Sequence, residues 1–242
     1  MKLKDLLRML KPSVGMDNEA VREMWLEKAL LAIAEGSRIL DAGAGTQRYR
    51  GYCSHLRYVS QDFGQYDGPG DGVGLHSGHF DYGDLDIVSD IVEIPEETDS
   101  FDAVMCVEVL EHLPNPDKAI KEFGRLLRPG GTLLITAPFC SLTHMAPYHF
   151  CSGFSRYWFE RQLNDYGFQI SEINPNGNYF EYLGQEIYRI LTISRRYSHD
   201  KPRIWEWMSM MIVQRMLARF SARDQGSSDV LCYGFHVLAV KS

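Results

Sequence analysis

Short apolar runs, each ended by glycine, proline or an acid, recur along this chain with amphipathic stretches between them. Arg38 to Ala42, Leu56 to Asp62, Leu85 to Asp90, Ser100 to Val107, Thr132 to Pro138 and Phe168 to Ile173 predict six strands. Helical spacing predicts a helix over 18–35, with Trp25, Leu26, Ala29, Leu30 and Ile33 on one face, and an earlier one over 3–10. Further helices are expected over 49–55, 116–127 and 155–166. The second of these opens on Pro116 and is followed by Pro129-Gly130-Gly131, the asymmetry that helix ends favour. Strand and helix alternate six times, which predicts an α/β fold with a doubly wound, mostly parallel sheet.

Two regions depart from that alternation. Residues 63–84 hold seven glycines and four acids with no sustained period, so they predict a long loop. A connection of that length inside a compact domain is usually functional or mobile; its acids are most simply solvated, and an ordered lid over the substrate is the other option. Residues 179–222 predict a helical insert. Leu183, Ile187, Ile190 and Leu191 share one face, and Trp205, Met208, Met211, Ile212, Met216 and Leu217 share another, expected to lie in the core or on a dimer face. A β-rich run over 230–240 supplies a seventh strand. The whole, 1–242, is expected to be a single domain with N-terminal helices over 1–35.

Composition narrows the function classes only a little. The chain is 45% hydrophobic, with a formal net charge of −7 that argues against a nucleic-acid backbone as partner. Five cysteines, at 53, 106, 140, 151 and 232, form no C-x-x-C pair, which suggests a reducing compartment. No apolar run reaches the ~18 residues that span a bilayer. A soluble, cytoplasmic protein is expected.

The candidate chemistry begins at Ile39-Leu40-Asp41-Ala42-Gly43-Ala44-Gly45, a buried strand running into a glycine turn. Such a turn sits at the carboxyl end of a strand, where open α/β sheets bind ligands. Asp41, Asp62 and Asp90 end successive strands, 21 and 28 residues apart. An acid about 20 residues past the turn is placed to bind both hydroxyls of a ribose. A dinucleotide site would also need a third glycine to bring a helix N-terminus to a pyrophosphate, and Arg48 occupies that position. A nicotinamide-dependent oxidoreductase is therefore the weaker alternative.

With Ser89-Asp90-Ile91-Val92-Glu93-Ile94-Pro95, Ser100-Phe101-Asp102-Ala103-Val104, Glu108-Val109-Leu110-Glu111-His112-Leu113-Pro114 and Arg125-Leu126-Leu127-Arg128-Pro129-Gly130-Gly131 all in order, residues 36–140 resemble the class I S-adenosylmethionine-dependent methyltransferases, type 11 small-molecule group. The resemblance implies S-adenosyl-L-methionine as cofactor. Gly43, Ala44 and Gly45 would pass the backbone close to it. Asp41 would hold the methionine amino group, and Asp62 the ribose, with Phe63 against the adenine. Asp90 and Ile91 would meet the adenine edge and face. Cys106, Val107 and Glu108 would line the end of strand four, and His112 would lie near the methionine. Gln47 and the loop 63–84 depart from the family pattern.

The expected reaction is attack by an oxygen, nitrogen or carbon nucleophile of a small molecule or glycan sugar on the sulfonium methyl. For a hydroxyl acceptor, His144 and His149, in the loop after strand five, are the candidate bases. Glu111-His112 resembles half of a metalloprotease helix but lacks its second histidine, so no metal is expected there, and His76 and His79 are expected on the surface. A homodimer is an open possibility. A scaffold that keeps the fold without catalysis is the remaining alternative.

Overall fold

The computed structural model describes residues 14–76 and 78–242. The helix expected over 3–10 lies outside them. The chain divides into two compact units. The larger comprises Arg22–Asn174 and Gly234–Ser242; the smaller comprises the segment up to Val21 together with Pro175–Tyr233.

The apolar runs form strands, β1 Arg38–Ala42, β2 Arg57–Asp62, β3 Ile87–Val88, β4 Phe101–Val107, β5 Leu127–Pro138, β6 Phe168–Asn176 and β7 Gly234–Lys241; β3 is shorter than the expected 85–90, and β5 starts ahead of the expected 132, running through Pro129-Gly130-Gly131. They make one seven-stranded sheet in the order β3-β2-β1-β4-β5-β7-β6. The pairs β1–β2, β1–β4, β2–β3 and β4–β5 are parallel, and β5–β7 is antiparallel. β1 and β4 are buried along most of their length, as expected for central strands covered on both faces.

Helices cover that sheet. In α1, Asn18–Leu31, Leu26 and Leu30 are fully buried against Ile39, Ala103, Met105 and Leu134, with Trp25, Ala29 and Ile33 packed around them. α2, Pro116–Leu126, buries Ala119, Ile120, Phe123 and Leu126, and α3 is Arg156–Asp165. The stretch expected as a helix over 49–55 is only one 3₁₀ turn, Arg50–Cys53.

In the smaller unit, α4, Tyr179–Ile193, begins at Asn178, whose side chain accepts from the amides of Phe180 and Glu181. α5, Ile204–Ser221, buries Gln214 and Leu217, and Gln214 Nε2 donates to the Gly184 carbonyl of α4 at 2.7 Å. The apolar face expected on α5 is therefore largely outward: Trp205, Met208, Ile212 and Met216 are exposed. A polar side chain bonded to backbone sets how α5 packs, and hydrophobic periodicity could not reveal that. No helix among the described residues is long and apolar enough to cross a membrane.

Candidate active site

The carboxyl ends of β1, β2 and β4 open on a cavity of about 630 Å³ within the larger unit. Its floor is the glycine turn. The amides of Gly43 and Ala44 both donate to the Gln61 carbonyl, at 2.9 and 2.8 Å, which bends the chain sharply after β1. Gly43 has φ +79°, and a Cβ there would sit 2.6 Å from the Val109 side chain. The glycine is thus required by its backbone angle and by Val109, a contact within the protein, as well as by any bound ligand.

Two carboxylates converge on this turn. Asp62 accepts from the Gly45 amide at 2.9 Å and the Gly64 amide at 3.1 Å, leaving lone pairs free toward the cavity. Burial raises its pKa, and those backbone bonds oppose the rise. Asp41 is buried and accepts from the Tyr58 hydroxyl at 2.6 Å. Burial is the main cause pushing its pKa up to about 7; the Tyr58 bond lowers it, and the Asp62 charge adds to the rise.

Of the residues expected in the site, Asp41, Gly43, Ala44, Gly45, Asp62, Phe63, Asp90, Ile91, Val107, Glu108 and His112 all line the cavity. Cys106, also expected there, is instead fully buried and is not part of the wall, which the chain reaches with Val107 at the very end of β4 and Glu108 just beyond it. Glu108 has φ +55°, and its carboxylate is engaged by Thr136 Oγ1 at 2.8 Å and Arg22 at 3.1 Å.

The upper wall comes from two loops. Phe80 and Tyr82 of the 63–84 loop, and Met145, Tyr148 and Phe150 of the loop after β5, cap the cavity with apolar and aromatic surface. The glycine-rich loop is held in place by backbone pairing. Leu75 N donates to the Thr143 carbonyl at 2.9 Å, and Met145 N to that of Leu75 at 3.1 Å. A Cβ on Gly70 would fall 2.1 Å from the Ala146 carbonyl oxygen, so the loops approach more closely than any other residue permits. Tyr66, 1% exposed, forms a small core for this loop with Phe80 and His76. His76 is therefore half-buried rather than on the surface; His79 is exposed. Gln47 now has a role: its Nε2 donates to the Tyr82 carbonyl at 2.9 Å and that of Asp84 at 2.8 Å, tying the loop to the glycine turn.

His144 and His149 are not on the cavity wall; they cluster with His112. Ring centroids are 4.6 Å apart for His112–His144 and 5.0 Å for His144–His149. Burial, with the neighbouring His144, pulls the pKa of His112 down to about 4, and the same causes lower that of His149. The sequence contained each histidine but not their meeting, because 32 residues separate His112 from His144.

Comparison with known proteins agrees with this geometry. The family model for a methyltransferase domain matches residues 18–173, well over half of the chain. Over 41 residues, the chain is 54% identical to the ubiquinone biosynthesis O-methyltransferase of Xanthomonas oryzae, spanning 17% of either protein. It is 33% identical over 110 residues to the tRNA (carboxymethyluridine(34)-5-O)-methyltransferase of Arabidopsis thaliana, 44% of this chain and 25% of that one. The matches thus span a quarter or less of these curated relatives. Among solved structures, the [4+2]-cyclase SpnF aligns over 96% of this chain and 84% of its own, with TM-score 0.57 and 17% identity. Geranyl diphosphate C-methyltransferase from Streptomyces coelicolor aligns over 93% and 79%, with TM-score 0.52 and 12% identity. With the family model spanning the strands that build the cavity, the chain belongs to the methyltransferase-domain family.

Proposed function

We propose that the chain transfers the sulfonium methyl of S-adenosyl-L-methionine to a small molecule or glycan sugar, with the acceptor entering beneath the aromatic cap. One observation carries the proposal: Asp41, Asp62 and the glycine turn converge at the strand ends, under a roof of Phe80, Tyr82, Met145, Tyr148 and Phe150. Asp62 binds the ribose hydroxyls with its free lone pairs while its backbone bonds keep the turn in shape. Asp41 meets the methionine ammonium, which draws the carboxyl into its charged form. Phe63, Asp90 and Ile91 form the adenine end, and Val107, Glu108 and His112 the methionine end.

The cofactor would supply an electrophilic methyl: the acceptor's bond to the methyl carbon would form as the carbon–sulfur bond breaks, leaving a neutral thioether, and the acceptor's proton would pass to water. The sulfonium is already a strong electrophile, so the protein's contribution is alignment and exclusion of water. The loop 63–84 acts as the lid, with Gln47 as its latch. The base role expected of His144 and His149 has no support in their placement away from the wall.

The test is incubation with methyl-labelled cofactor and a metabolite extract, followed by fractionation. Label in a small-molecule or glycan fraction, lost in Asp62→Ala, supports the proposal. Label in RNA, or no transfer despite cofactor binding, overturns it.

A further inference from the structure

We propose that His112, His144, His149 and Glu111 form a binding site for one divalent transition-metal ion of the zinc class, beside the cofactor cavity. Among the described residues, the three histidines are the one cluster of three or more His, Cys, Asp or Glu residues arranged to hold an ion, with one ligand atom from each within 4.8 Å of the others.

Their hydrogen bonds fix which atoms point inward. His112 Nδ1 lies 2.5 Å from the Tyr148 carbonyl and His144 Nδ1 2.9 Å from that of Leu142. A carbonyl only accepts, so both Nδ1 atoms carry the proton and both Nε2 atoms present lone pairs. Backbone carbonyls hold metal-ligating histidines in just this way. Those two Nε2 atoms lie 3.8 and 3.9 Å from the same oxygen, Glu111 Oε1. These distances are too long for hydrogen bonds.

Glu111 is 1% exposed, and its other oxygen is buried without a hydrogen-bond partner. Both ring nitrogens of His149 are likewise buried and without one. Four inward-facing groups offering lone pairs are what a cation needs. A single proton would serve one pair of them. Tetrahedral zinc with bonds of about 2.0–2.2 Å sets its ligand atoms roughly 3.3 Å apart; the two Glu111 separations exceed that by about half an ångström, and an ion would draw His149 in as well to complete the site. Imidazole and carboxylate donors without thiolate suit zinc or a neighbouring first-row ion.

Four protein ligands fill the tetrahedron and leave no open position, the mark of a structural site. The ion would tie the Glu111-His112 turn to the loop after β5, whose Phe150 and Cys151 amides already donate to the Glu111 carbonyl at 2.9 and 3.1 Å. That loop carries Met145, Tyr148 and Phe150 to the cavity roof. The ion's role would be to hold that roof, whatever the acceptor proves to be.

The test is titration of chelator-treated protein with Co(II), read by its visible d–d bands, with Zn(II) as competitor. Expected are one equivalent bound, an intense tetrahedral spectrum, and displacement by Zn(II). His144→Ala and His149→Ala should each weaken uptake by more than about 100-fold, beyond the effect of losing a supporting hydrogen bond. The exposed His79→Ala should leave it unchanged. Far-ultraviolet circular dichroism and a thermal shift with S-adenosylhomocysteine check that each variant is folded, and His149→Gln replaces any alanine variant that is not. No saturable one-equivalent uptake by the wild type, or uptake indifferent to both histidine substitutions, overturns the proposal.

Discussion

The Asp41–Tyr58 pair supports a quantitative prediction about pH and stability. Asp41 is 2% exposed, and its carboxyl has a pKa of about 7 in the fold against an ordinary value of 3.8. The folded state therefore holds the proton more tightly than the unfolded chain. Its contribution is fully present below about pH 3.8 and is lost as pH rises toward 7. At ~1.4 kcal/mol per unit, that loss amounts to at most about 4 kcal/mol. The Tyr58 hydroxyl, 2.6 Å from Oδ2, limits the loss by donating to the charged form.

Tyr58→Phe removes that donor. A hydrogen bond to a neutral carboxyl contributes about 1 kcal/mol, and one to a carboxylate roughly 1.5–3. The substitution should thus cost about 1 kcal/mol at pH 5.5 and about 2–3 kcal/mol at pH 8.5. Urea unfolding followed by tryptophan fluorescence measures both, with an unchanged slope in denaturant showing that the same surface is exposed. Asp41→Asn, which cannot ionise, should abolish the difference between the two pH values. A Tyr58→Phe cost that is equal at both, or larger at pH 5.5, would refute the assignment of the raised pKa to a buried Asp41 restrained by Tyr58.

Other residues support further predictions. Asp62→Ala should weaken S-adenosylhomocysteine binding by ~1.5–3 kcal/mol in calorimetry, since a charged acceptor is lost; unchanged affinity removes Asp62 from the site. Gly43→Ala should destabilise the fold by about 2–4 kcal/mol through its clash with Val109 and its positive φ. In a double-mutant cycle, adding Val109→Ala should recover part of that loss, and strict additivity would show that the two do not touch. Gln47→Ala should speed hydrogen exchange at residues 80–84, where it holds the carbonyls of Tyr82 and Asp84; unchanged exchange would deny the latch. His236, stacked 4.9 Å from Trp25, has its pKa lowered to about 4, chiefly by burial. Its stabilising contribution is present above about pH 6.5 and should be lost, by at most about 3 kcal/mol, as pH falls to 4. A His236→Phe variant with the same acid slope as the wild type would reject that.

The sequence by itself determined the sheet, because each central strand is a buried apolar run whose cost of exposure does not depend on its partner. Ile39-Leu40, Val104-Met105 and Leu133-Leu134 could only be interior. It also determined the floor of the cavity, since Asp41, Gly43, Gly45 and Asp62 lie where two adjacent strands end, a short-range consequence of parallel pairing. Only the tertiary structure decided what depends on contacts distant in sequence. Glycine-rich residues 63–84 have no period of their own, and backbone pairing with residues 143–146 gives them their path. Gln214 is buried because the Gly184 carbonyl lies opposite it, against the apolar pattern of its helix. Gln47 became intelligible only when Tyr82 and Asp84 came back over it. The histidine cluster joins a turn after β4 to a loop after β5, and no spacing along the chain encodes that distance. Local periodicity records which side of an element is dry; which polar groups face one another is settled when the elements pack.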